Sequence, residues 1–160
     1  MKDNGQPFSL AFNVAVMAMA ARVLPAGYDV EPDAAKVPAS LPELCAYIAR
    51  TGRIVVWAGA SDDTIFGDRE HNWAFRAWHD WTHAAYGYAF DERGERATAE
   101  AQIDDLRKVF GAGFAARYAP YIREEVIGQA HYYHAHGGFP ETQRTFARAY
   151  LGAVGAPIEG

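Results

Sequence analysis

The chain has 160 residues, half of them hydrophobic and 14% aromatic, with a formal net charge of -5. That length suits one domain with one core, and the composition is that of a globular rather than a disordered protein. The acidic balance argues against a nucleic-acid partner, which calls for a basic excess to neutralise phosphates. The single cysteine, Cys45, excludes an internal disulfide and a multi-cysteine zinc finger. It fits a reducing, cytoplasmic compartment and is expected to be a small buried residue.

Phe8 to Leu24 reads as the first helix. The stretch is apolar and alanine-rich, but it contains Asn13 and is closed by Arg22 and Pro25, so it falls short of the roughly 20 apolar residues that a membrane span needs. Without a charged run ahead of it, a signal peptide is not expected either. The expectation is a buried or amphipathic helix and no integral membrane segment. Pro25 to Ser40 holds three of the eight prolines and reads as an irregular connection. Leu41 to Gly52 reads as a short helix with Gly52 as its stop. Arg53 to Trp57 is β-branched and apolar, a lone strand-like run expected to pack as an extended segment.

Four helices fill the remainder. Asp68 is a fitting N-cap for a helix from Arg69 to Tyr86, stopped at Gly87. The next runs from Gly94 to Phe110, and a third from Ala115 to Ala135, ending at Gly137-Gly138. Pro140 sits near the first turn of the last, which reaches Val154. The fold class is therefore all-α: a single-domain helical bundle of about five to six helices over residues 1–160, with an irregular N-terminal third.

Helical geometry picks out a polar stripe. Positions four apart lie about 40° from each other around a helix, so His79 and His83 project from one face, one turn apart. Asn72 and Arg76 continue that stripe, and Asp80 flanks it. Trp73, Phe75, Trp78 and Trp81 cover the other sides, so the helix should be buried, and a buried stripe of this kind is costly unless it lines a polar site. On the following helix Glu95 and Gln102 share a face with Ala99 and Leu106, while Glu100, Asp104 and Lys108 mark the solvated side. Two imidazoles and a carboxylate suit a divalent ion and leave coordination positions open, which is the catalytic rather than the structural pattern. On the third helix Glu125 and Gln129 are four apart, and Gly128 implies a close approach by a backbone or a ligand. Glu124 and Arg123 are read as solvated. His131, His134 and His136 are read as a solvated C-terminal turn, and His71 as a surface residue.

The spacing His79-Asp80-x-x-His83-x11-Glu95 resembles the zinc-binding HDxxH-x11-E motif of the ubiquinone-biosynthesis family known as the fourth Coq protein, over about residues 76–102. Gly94-Glu95 and Gln102 resemble that family's "GE" and downstream glutamine. The resemblance implies His79, Asp80, His83 and Glu95 as metal ligands, an all-helical fold, and work on the ring of a prenylated quinone precursor at a membrane surface, so that peripheral membrane contact is among the expectations.

The resulting expectation is a mononuclear metal site, zinc first with iron or manganese as alternatives, in an enzyme that acts on a small, aromatic or quinone-like substrate. Glu125 is the candidate acid/base, Arg76 the candidate anion receptor, and Gln102 and Gln129 the residues that orient ligands. Two alternatives stand beside it. One is a metal-dependent phosphohydrolase, in which His79-Asp80 is an HD pair and His71 an added ligand. The other is a non-catalytic binding or inhibitory module with a structural metal, which docks through Tyr118, Tyr121, Tyr132 and Tyr133.

Overall fold

The computed structural model describes residues 5–159. Its elements are α1 (Leu10–Val23), β1 (Asp29–Glu31), a short 3-10 turn (Ala34–Lys36), α2 (Leu41–Thr51), β2 (Val55–Trp57), α3 (Arg69–Tyr86), α4 (Glu92–Phe110), α5 (Ala112–Arg123), a π-turn (Glu124–Gly128), α6 (Gln129–His136) and α7 (Gln143–Ala153). Helices dominate, and α5, the π-turn and α6 run on as one rod. α3 spans the residues its sequence signals predict: Asp68 accepts from His71 N–H at 2.9 Å, and Gly87 closes the helix in the left-handed region. α4 begins two residues earlier than expected, because Asp91 rather than a later residue caps it. α7 begins three residues after Pro140.

Arg53 to Trp57 is not a lone extended segment. Val55–Trp57 pairs in parallel with Asp29–Glu31, in the register Val30 to Val56. A parallel pair needs a crossover between its strands, and α2 supplies it. Part of the connection read as irregular is thus a strand. Its three residues, Asp-Val-Glu, are too few and too polar to show a period.

α3 is the axis of the molecule, and its three faces have different partners. Ala74, Phe75 and Trp78 enter the main core with Phe12, Val16 and Met19 of α1, Ile103 and Leu106 of α4, and Tyr118, Tyr121 and Ile122 of α5. Ala77, Trp73 and Trp81 lie against Ile54 and Val56 in a smaller cluster behind the sheet. The remaining stripe carries Arg76, His79 and His83. Removing a side chain such as Leu106, fully buried at this junction, costs about 2–5 kcal/mol.

Three expected placements are corrected. Cys45 is exposed, on the outer side of α2 from the buried Leu44. Tyr118 and Tyr121 are core residues rather than a docking surface. Their hydroxyls find internal partners, Tyr121 donating to Pro157 O at 2.8 Å and Tyr118 bonding Glu159, so the large rings can be buried without stranding a polar atom. Tyr132 is half-buried and Tyr133 exposed. α1 is apolar on both sides: its inner face is buried, while Leu10, Val14 and Met17 face outward. Among the described residues no helix is long and apolar enough to cross a membrane.

Candidate metal centre

His79 and His83, one turn apart on α3, meet Glu95 from the first turn of α4. Glu95 Oε2 lies 3.0 Å from His79 Nε2 and 3.2 Å from His83 Nε2, and the two Nε2 atoms are 3.0 Å apart. Among the described residues these three form the group whose ligand atoms all lie within 4.8 Å of one another. The α4 approach depends on Gly94. It is buried against the chain that returns from α3, and a Cβ there would overlap the Ala89 carbonyl. The same return places Tyr88 O 2.8 Å from His83 Nδ1.

The outer nitrogens fix the tautomers. A backbone carbonyl only accepts, so His83 Nδ1 carries the proton that bonds Tyr88 O. The Thr98 hydroxyl, 3.2 Å from the same nitrogen, spends its own proton on Gly94 O. His79 Nδ1 lies 2.9 Å from Gln102 Oε1. In the neutral rings both Nε2 atoms therefore present lone pairs toward Glu95. Phe75 stacks near-parallel to the His79 ring, and Phe90 packs on His83 with ring centroids 4.7 Å apart. Rings held from outside by an acceptor and by packing are the arrangement that metal-ligating histidines show.

Without a cation between them, a proton must separate these lone pairs and the carboxylate. Burial works against a charged imidazole at His79, but Glu95 outweighs it, with help from Asp80 and Gln102, and lifts His79 to about 9. Burial likewise works against a charged Glu95, and the two imidazoles reverse this and hold it at about 2. The donor set fits a divalent ion. Ligand atoms about 2.0–2.1 Å from a tetrahedral centre lie about 3.3 Å from one another, close to the separations found. The ion would take the place of the proton.

Asp80 is not part of this triad. It stands beside it, where burial raises its carboxyl to about 6 against the pull of His79, His83 and Arg76. Gln102 is fully buried. Its oxygen serves His79, while its Nε2 has no partner. The Arg76 guanidinium is partly engaged with backbone: Nη1 donates to Trp57 O and Gly59 O, both at 2.6 Å, and Nη2 to Ala60 O at 3.2 Å. It is the pin that holds the segment after β2. Ala60, whose φ of 51° is unusual for a residue with a side chain, is the far end of that pinned loop. His71 is bound to Asp68 at the start of α3 and is not in the cluster, which deprives the phosphohydrolase reading of its added ligand.

Through His79 and Glu95 the triad borders a cavity of about 680 Å³, with His83 buried behind them. Arg76, His79, Glu95, Glu125 and Gln129 all line it, so one concavity collects five of the eight residues singled out from sequence. Trp57, Phe75, Phe90, Tyr133 and Phe139 give it aromatic walls. Trp57 is fixed in place by its indole N–H on Pro32 O at 3.2 Å and by the Arg76 guanidinium 5.7 Å from its ring.

Other residues were missed or misread in the sequence. Thr98 and Tyr88 carry no motif, since one acts through a hydroxyl on an otherwise apolar face and the other through its backbone. Glu124 is not solvated but 0% exposed. Gly128 accommodates neither a backbone nor a ligand: the rings of Tyr150 and Phe146 lie 3.2 and 3.5 Å from where its Cβ would stand. His131, His134 and His136 are all exposed as expected, and His134 also lines the cavity. The chain matches no protein-family model, and no curated protein or solved structure is similar to it.

Proposed function

We propose that this protein is a metal-dependent enzyme that binds a small aromatic or quinone-like compound in the 680 Å³ cavity, beside an ion held by His79, His83 and Glu95. The observation that carries this reading is the convergence of two Nε2 lone pairs and one carboxylate oxygen at a cavity wall, with each imidazole oriented from behind. Three protein ligands, two of which line a cavity, leave a position for substrate or water, whereas a structural site would be closed by a fourth. The donor set suits zinc, with iron or manganese as alternatives. When bound, such an ion acts as a Lewis acid or as an activator of water.

The chain's own residues supply the remainder. Trp57, Phe75 and Phe90 offer faces against which a planar ring packs. Burial pushes the Glu125 carboxyl up, against Glu124 and Arg76, to about 7, which suits a group that gives or takes a proton near neutral pH. Gln129 holds Glu125 by donating to its Oε1 at 3.2 Å. Arg76 keeps the Trp57 wall in place. The HDxxH-x11-E resemblance, which implies His79, His83 and Glu95 together with Asp80 as ligands, supports the same site and the same substrate class.

Element analysis of untagged protein, beside His79→Ala and Glu95→Ala, tests the proposal. Wild type is expected to carry close to one equivalent of a transition metal and both variants to lose it. Unchanged metal content in both variants would overturn the site.

A further inference from the structure

Glu124 is fully buried, yet it is not ion-paired. Its Oε1 lies 3.4 Å from Gln129 Nε2 and its Oε2 has no partner, while Glu125 Oε1 lies 3.2 Å from that same Gln129 nitrogen, so two buried carboxyls crowd one amide donor. Two carboxylates held this close, one of them fully buried with a partnerless oxygen, cannot both stay ionised, so one of them holds a proton. The deeper carboxyl is the cheaper place for the neutral form. Glu125, by contrast, lines the cavity.

The π-turn builds this arrangement. Residues five apart on an α-helix lie about 140° from each other, which would keep Glu124 and Gln129 on different faces. Here Gln129 N–H bonds Glu124 O, closing the i to i+5 turn, and the two side chains meet. The Gln129 amide then bridges both carboxyls from one nitrogen. π-turns of this kind carry a cost and concentrate at functional sites.

We propose that Glu124 and Glu125 act as one proton-sharing pair: Glu125 exchanges a proton with the compound in the cavity, and Glu124 is a positioning residue that never touches it. The inference deepens the enzyme reading and rests on the cavity being the reaction site. As a carboxylate, Glu125 takes a proton from an acidic O–H or C–H of the bound compound and becomes the acid. It later returns that proton to the product or to water at the cavity mouth. The proton on Glu124 stays there throughout, so the pair's total changes by one. The groups that face the pair are Arg76 from α3, which favours the Glu125 carboxylate, and Tyr150 from α7 beside Glu124. Arg123 of α5 and Arg96 of α4 act on Tyr150 in turn. Burial and the neighbouring Glu125 charge push Glu124 well above the usual carboxylate range.

The test is a pH titration of the full chain labelled with carbon-13 at the glutamate carboxyls, as purified and after chelation. Two resonances are expected to titrate together, each in two coupled steps. Glu124→Gln should reduce the Glu125 curve to a single step, and Glu125→Gln should do the same for Glu124. A merely structural Glu124 would alter stability and leave the number of steps unchanged. The proposal is overturned if the wild-type carboxyls titrate singly in the ordinary range near 4, or if the Glu125 curve is the same with and without Glu124. The wild-type titration decides the matter alone should a variant not fold. Because the chelated protein is read directly, this result is independent of the metal analysis, and either proposal can fail while the other stands.

Discussion

Two groups of ionisable side chains reach one cavity, one through His79 and Glu95 and the other through Glu125, and they are built in opposite ways. The His79, His83 and Glu95 triad uses regular geometry: an i, i+4 pair on α3 and an inward position in the first turn of α4. The Glu124 and Glu125 pair exists only because the rod between α5 and α6 departs from α-helical closure. Each group is served by a glutamine, used by opposite ends. Gln102 offers its oxygen to an imidazole, whereas Gln129 offers its nitrogen to two carboxyls. The first group could hold a cation, and the second is proposed to retain a proton.

The comparison is sharpest in its pH dependence, where the largest effect is expected. The Glu125 carboxyl is raised in the folded state, to about 7 from an ordinary value near 4.5. A group whose folded pKa is raised contributes stability that is fully present below the unfolded pKa and is lost as pH rises through the folded one. Wild type should therefore lose stability relative to Glu125→Gln between about pH 4.5 and 7, by up to about 3 kcal/mol, and run parallel to it above. His79, raised to about 9, and Asp80, raised to about 6, bias both chelated proteins in the same direction, so the difference between the two curves isolates the pair. Parallel denaturation curves from pH 4 to 9 would show that Glu125 is not held as described.

Gly94→Ala should strike the triad alone. The added methyl overlaps the Ala89 carbonyl and displaces the return that carries Tyr88 O to His83. Such overpacking costs about 1–3 kcal/mol, and metal affinity should fall with it. Gly128→Ala, in the other group, meets a movable Tyr150 ring rather than backbone. It also recovers about 1 kcal/mol of helix propensity, so thermal denaturation should place it within about 1 kcal/mol of wild type. Equal losses in the two variants would erase the distinction between a backbone-limited and a side-chain-limited contact.

This contrast also explains what the sequence makes legible. Asp68 and Gly87 bound α3 because caps are local chemistry, and the inward face of α4 follows from the spacing of Glu95, Ala99, Gln102 and Leu106. The π-turn leaves little trace. Pro120, inside α5, and Gly128, at the end of the turn, are its only local irregularities, and each is also compatible with an unbroken helix. Glu124 therefore reads as one more charged residue beside Arg123, when it is buried and Arg123 pairs with Glu100 at the surface. The carbonyl partners of Arg76 are hidden in the sequence for a related reason. Its position on the stripe is periodic, but its partners are carbonyls of a loop whose path depends on β2, a strand visible only once β1 is paired to it.

The smallest effect should separate affinity from stability. In Gln102→Leu the volume is nearly kept and the partnerless Nε2 disappears, so the chelated protein should unfold within about 1 kcal/mol of wild type, or later. His79, however, loses the acceptor that holds its Nδ1 proton outward. Removal of such a support costs about 10–100-fold in metal affinity, measurable by competition with a chelating dye. Affinity that drops only in step with stability would mean that Gln102 is a core residue that happens to touch His79. A drop without a stability loss would mean that the buried amide is retained for the imidazole it orients.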